Sequence, residues 1–240
     1  MGKVLPVGCS GIRLQRGSRV VLDVPSLVLG NAACTAIVGP NGAGKSLLVR
    51  TLCDLQKVDQ GSVSWAGRAP DWPRRRRVGL LLQRPVLLRR TALNNLLHAL
   101  QLAGSARADA FVVAQDALQV AGLGALVDVL AHRLSGGEQQ RLALARALVL
   151  KPDMLFMDEA TANVDPASTL AIEQQLTNAM SDGLKVVLVS HDMGQVRRLA
   201  DEVVLMNNGC VVEQSARQHF FEQTNNPISR RWLAGELLVT

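Results

Sequence analysis

The chain has 240 residues, 48% of them hydrophobic, with 26 Lys and Arg against 20 Asp and Glu for a formal net charge of +6. That length and apolar content support a folded core of one or two domains. With no Tyr, four Phe and three Trp, the chain lacks an aromatic platform for stacking single-stranded bases, so no nucleic-acid partner is expected.

Residues 1–10 carry one Lys and no apolar core, which argues against a secretory signal. No apolar run reaches the ~18 residues of a membrane span, so membrane association is expected to come through a partner. Cys9, Cys34, Cys53 and Cys210 are far apart and lack metal-ligand spacing, and are expected as reduced, buried small hydrophobes. Residues 20–29 and 62–65 read as short antiparallel strands around turns such as Asp59-Gln60-Gly61. Apolar runs at 33–38, 78–82, 154–157, 186–189 and 203–206 alternate with helical stretches, the order of a parallel sheet flanked by helices. Between 88 and 146 no strand-like run occurs. There Leu93, Leu96, Leu97 and Leu100, and then Val113, Ala117, Leu118 and Ala121, follow helical spacing.

Three motifs carry chemistry. The first, Gly39-Pro40-Asn41-Gly42-Ala43-Gly44-Lys45-Ser46, lies between an apolar strand and the helix that begins Leu47-Leu48. Glycines let successive amides curl around phosphate oxygens, the helix start adds positive potential, Lys45 reaches the β and γ phosphates, and Ser46 ligates Mg²⁺. The second is the apolar run Met154-Leu155-Phe156-Met157 ending in Asp158 and Glu159. Alone, such an acid pair reads as a solvated strand end. Beside a phosphate loop the two acids divide the work, Asp158 ordering Mg²⁺ and Glu159 orienting or deprotonating the attacking water. The third, Leu134-Ser135-Gly136-Gly137-Glu138-Gln139-Gln140, opens a helix and forms a second anion-binding helix start.

This last motif resembles the signature sequence of ABC (ATP-binding cassette) ATPases. With it in view, Gln83 resembles the family's Q-loop glutamine, Thr161 to Asp165 its D-loop, and Ser190-His191-Asp192, after what reads as the last parallel strand, its switch histidine. The resemblance covers nearly the whole chain. It implies an α/β fold with a phosphate-loop (RecA-like) core over 1–87 and 147–240, an N-terminal antiparallel β subdomain, and an all-helical insert over 88–146. It implies ATP and Mg²⁺ as cofactors. Glu159, His191, Gln83 and Lys45 would be catalytic, and Ser46, Gln83 and Asp158 would hold the metal. Nucleotide would contact residues 39–47 of one copy, from Gly39 to Leu47, and Ser135, Gly136, Gly137 and Asp165 of the signature and D-loop. It further implies a head-to-tail homodimer attached to transmembrane permease subunits, with a substrate-binding receptor as an indirect partner, on the cytoplasmic face of the inner membrane.

The chain departs from the family pattern where an adenine-stacking aromatic is usual. Arg16 falls closest to that slot, and its guanidinium either stacks on the base or is solvated. Ala160 replaces the common Pro after the acid pair, and Leu47 replaces the usual Thr. The run Arg74, Arg75, Arg76 and Arg77 reads as an exposed edge, with anionic lipid as the alternative. The segment from Gln83 to Asn95 and the tail with Phe220-Phe221 and residues 232–237 are similar to tungstate importer ATPases. Molybdate, phosphate, sulfate or another small solute stand as alternatives. A DNA-repair, translation or signalling ATPase is the reading from another class.

Overall fold

The computed structural model describes residues 4–30 and 32–236. Leu237 of the tail motif and residues 1–3 of the N-terminal segment lie outside them. A six-stranded sheet has the order β5-β6-β7-β3-β8-β9, formed by β3 (Cys34–Val38), β5 (Val78–Leu82), β6 (Met154–Asp158), β7 (Lys185–Val189), β8 (Glu202–Asn207) and β9 (Cys210–Ala216). All its pairings are parallel except that of β9 on β8. The strand before His191 is thus not the last parallel one, because β8 follows and pairs in parallel with β3.

β3, β6 and β7 are buried along their whole length, as expected of a sheet covered on both faces. Side-chain alternation splits β6 between two cores. Met154 and Phe156 join a cluster with Leu48, Val49 and Leu52 of α1 (Lys45–Leu52) and with the second sheet. Leu155 and Met157 face Ile172 and Leu176 of α6 (Pro166–Ser181) and Val196 of α7 (Met193–Leu199).

The second sheet is antiparallel, with order β2-β1-β4 from β1 (Val7–Arg16), β2 (Arg19–Leu29) and β4 (Gln60–Trp65). The two strands expected from sequence do not pair with each other; each pairs with β1, which lies between them. β1 escapes periodicity because Gly8 and Gly11 interrupt it, and its register shifts between Ser10 and Arg13.

Residues 88–135 add no strand to either sheet. α3 (Ala92–Leu102), α4 (Arg107–Val120) and α5 (Gly136–Leu148) pack through Leu96, Leu100, Ala114, Leu118 and Leu142. α5 serves two cores at once, since Ala143 and Leu144 face the large sheet while Leu142 and Ala145 face the helices. The division expected between 146 and 147 falls inside this helix.

The arginine run is absorbed by the protein itself. Arg74 pairs with Asp71, Arg75 with Asp54 and Arg77 with Asp153, while Arg76 donates to the Leu102 carbonyl at 2.7 Å. Three cysteines are buried as expected, whereas Cys210 is exposed. Burial pushes the Cys9 thiol up to about 11 and the Cys34 thiol up to about 12. No helix among the described residues is long and apolar enough to cross a membrane.

Candidate functional site

The parallel register lines up the site. Leu82 pairs with Asp158, Asp158 with Val189 and Val189 with Ile37. The residues that follow this row, Gln83, Glu159, Ser190 with His191, and Val38 leading into Gly39, therefore emerge together at the carboxyl edge of the sheet, the edge at which open α/β sheets bind ligands.

The loop from Gly39 to Ser46 turns on left-handed glycines. Gly39 has φ 141°, and a Cβ there would stand 2.1 Å from the Met206 carbonyl oxygen of β8, so no other residue fits. The β8–β9 turn braces the loop further, with the Gly209 amide donating to the Ala43 carbonyl at 3.0 Å. α1 begins at Gly44 with no side-chain cap and no acid in its first turn, which leaves its amides to an anion. Lys45 is buried, and its Nζ donates to the carbonyls of Gly39 at 2.8 Å and Pro40 at 3.0 Å. Burial lowers its pKa, and the charges of Glu159 and Asp158 partly offset that. The Leu47 side chain packs against the core, so only its backbone is available to a ligand.

The Ser46 hydroxyl donates to Asp158 Oδ1 at 2.8 Å. These two hard oxygen donors, brought from α1 and β6, suit Mg²⁺, which takes few protein ligands and fills its shell with phosphate oxygens and water. No group of three or more His, Cys, Asp or Glu could hold a metal by itself among the described residues. Gln83 is exposed at the end of β5, next to the residue that pairs with Asp158.

Glu159 is a non-glycine residue at φ 51°, a conformation with a backbone cost that tends to persist at functional sites. Its amide donates to the Val189 carbonyl at 3.1 Å and its carbonyl accepts from Ala162 at 3.1 Å, so the turn is tied to the strand before His191. A cleft of about 540 Å³ opens here, with Glu159, Thr161, Ser190 and His191 in its lining. Ala160, in the slot where the family carries Pro, is buried in the core.

The signature helix presents a different surface. Ser135 caps α5 in a capping box with Glu138, whose carboxylate accepts from the Ser135 amide at 2.8 Å. That bond holds the Glu138 carboxyl below its usual range. Ser135 and Gly136 are exposed, but Gly137 is buried, and a Cβ on it would stand 2.4 Å from Ser168 Oγ and 2.6 Å from Asp165 Oδ2. Gly137 thus packs α5 closely onto the start of α6 in its own chain. Asp165 is the N-cap of α6 and accepts from the Ser168 amide at 2.9 Å, which lowers its pKa. Both residues assigned to nucleotide therefore have structural employment inside one chain.

Arg16 ends β1, exposed, and its guanidinium donates to Gln56 Oε1 at 3.1 Å. In the aromatic's slot, a planar ring adds roughly 0.5–1.5 kcal/mol of stacking. Arg16→Tyr is therefore expected to lower the KM for ATP about fivefold in steady-state hydrolysis; an unchanged KM would show that adenine does not reach this residue.

Two residues outside the motifs hold the site's surroundings. Gln140, buried in α5, donates to the Leu82 carbonyl at 3.0 Å, just before Gln83. Asn95, wholly buried, binds the amide and carbonyl of Leu88 and the carbonyls of Arg90 and Thr91. Both are polar residues on otherwise apolar helix faces, which is the signal by which sequence reading finds such residues.

A glycine-turned loop running into an uncapped helix, with a lysine and a serine facing a strand-end Asp and Glu, defines a phosphate-loop nucleotide-binding protein. The family model described as ABC transporter matches residues 22–162. The phosphate import ATP-binding protein PstB 2 of Natronomonas pharaonis is 34% identical over 237 residues, covering 91% of this chain and 82% of that protein. The tungstate uptake ATP-binding protein TupC of Peptoclostridium acidaminophilum is 33% identical over 211 residues, covering 87% and 98%. The methionine import ATP-binding protein MetN of Geobacillus kaustophilus is 35% identical over 228 residues, covering 90% of this chain and 66% of that protein. In fold, the structure of cbiO1 from Clostridium perfringens matches with a TM-score of 0.80 at 24% identity, covering 95% and 94% of the two chains. The chain belongs to the ABC transporter ATP-binding family, whose members bind ATP and couple its hydrolysis to transport.

Proposed function

We propose that this chain is the motor of a prokaryotic importer of a small oxyanion, tungstate first, and that it works as a head-to-tail pair on the cytoplasmic face of the membrane. The contact that carries the motor reading is the one between Ser46 and Asp158, set beside Lys45 and Glu159. ATP lies with its phosphates on the loop amides, where Lys45 exchanges its two carbonyl partners for phosphate oxygens. Ser46 and Asp158 hold Mg²⁺, which supplies charge neutralisation at the phosphates. Glu159 accepts the proton of the attacking water, His191 donates a hydrogen bond to the γ-phosphate, and Gln83 reports occupancy to the helical layer.

Ser135 and Gly136 are exposed at a helix start, while Gly137 packs against α6 of its own chain. This supports a role for them across an interface, capping the ATP held by a second copy. Hydrolysis removes the phosphate both copies share, so the pair opens and the motion passes to permease subunits. A groove of about 830 Å³ suits the permease contact. Trp72, Leu88, His98, Leu102, Arg146 and Leu150 are in its lining, and Trp72 is 72% exposed.

The oxyanion assignment rests on the relatives for phosphate and tungstate, which this chain matches over most of both lengths. The methionine relative gives the second reading. Calorimetry of the cognate receptor against tungstate, molybdate, sulfate, phosphate and methionine decides between them. Tungstate is expected to bind at least about a hundredfold more tightly than sulfate or phosphate, a gap of about 2.7 kcal/mol. Tighter binding of any other solute would overturn the tungstate assignment.

A further inference from the structure

A chain of side-chain hydrogen bonds runs behind the cleft that Glu159 and His191 share. The Thr161 hydroxyl donates to Gln195 Oε1 at 3.2 Å, and Gln195 Nε2 donates to Glu173 Oε1 at 3.2 Å. Glu173 is held in turn by Arg198, whose Nε and Nη2 reach its two oxygens at 2.9 and 2.7 Å. Gln195 is 1% exposed and Glu173 6%. The direction of each bond is forced: the carboxylate of Glu173 only accepts, so the amide nitrogen of Gln195 faces it, and the amide oxygen must take the proton of Thr161.

The chain joins two catalytic segments that are distant in sequence. Thr161 lies in the turn begun by Glu159, where the Ala162 amide closes on the Glu159 carbonyl. Gln195 sits in the first turn of α7, whose cap, Asp192, follows His191 and accepts from the amides of Gly194 at 2.8 Å and Gln195 at 3.1 Å. Glu173 on α6 is the buried anchor for both.

We infer that Gln195 and Thr161 are positioning residues that lock the Glu159 turn to the His191 helix, so that the base and the γ-phosphate donor keep their spacing across the cleft. This rests on the roles of Glu159 and His191 proposed above. The link touches neither the phosphate loop nor Arg16, so its loss affects the chemical step and spares ATP affinity.

Steady-state hydrolysis by the full chain tests it. Thr161→Val keeps the shape and removes the donor; Thr161 is only partly buried, so the fold survives the change. It is expected to lower kcat about tenfold, the effect of one lost directional bond in a reacting geometry, with KM for ATP within about twofold. Thr161→Ser, which retains the hydroxyl, keeps at least about half of kcat, and Gln195→Met reproduces the valine effect with Thr161 intact. A wild-type kcat in Thr161→Val, an equal loss in Thr161→Ser, or a loss carried by KM overturns the inference. Glu159→Gln measured in parallel separates the two levels. If it is inactive while Thr161→Val is unimpaired, the link alone fails. If it hydrolyses ATP normally, the reading beneath the link fails, whatever Thr161 does.

Discussion

Glu159→Gln is expected to slow ATP hydrolysis about a thousandfold while leaving ATP affinity within about threefold of the wild type. The substitution keeps the size and the hydrogen-bonding reach of the side chain but removes its capacity to take a proton from water. The phosphate loop is untouched, because Lys45 is anchored by the Gly39 and Pro40 carbonyls and Ser46 by Asp158. Steady-state turnover and equilibrium nucleotide binding measure the two halves of the expectation separately. Hydrolysis within about tenfold of the wild type would move the base elsewhere and leave Glu159 a spectator.

The second large effect is Gly39→Ala. Its Cβ would meet the Met206 carbonyl oxygen at 2.1 Å, and the φ of 141° is one that alanine rarely adopts. β8 is a buried interior strand of the sheet, so the loop yields and the strand does not. The loop then moves by roughly 1 Å, a displacement that costs on the order of a hundredfold in a positioned reaction. Because the Gly39 carbonyl also holds Lys45, the loss is expected in kcat/KM for ATP and in ATP binding alike. Near-normal ATP binding by a folded Gly39→Ala variant would contradict the close approach.

Much of this site is legible in the sequence because its chemistry is local. A glycine-rich loop between a strand and a helix, and two acids at the end of an apolar strand, need only their neighbours to be read. The parallel strands of the large sheet are legible for the same reason, since a strand covered on both faces is apolar at most positions, whereas the half-exposed β9 is not among the runs read from sequence. β1 is not, because its glycines break the alternation and only the pairing partners on either side, β2 and β4, make it a strand. The partners of Gln195, Glu173 and Gln140 are also hidden, because Gln195 and Glu173 stand 22 residues apart and Gln140 reaches a carbonyl 58 residues away. Gly137 and Asp165 carry a second role that their motif context does not reveal. Their motif context assigns them to nucleotide, whereas inside one chain Gly137 makes room for α6 and Asp165 caps it.

In the proposed mechanism each copy holds half of each ATP site, with Lys45 and Ser46 on one and Ser135 and Gly136 on the other. Light scattering of Glu159→Gln, in which ATP survives, measures this directly. The expected particle has monomer mass without nucleotide and twice that mass with ATP and Mg²⁺, and adding Ser135→Arg is expected to return it to monomer mass while ATP still binds. A Glu159→Gln chain that binds ATP and stays monomeric at saturation, or one whose dimer is indifferent to Ser135→Arg, would contradict the proposed mechanism.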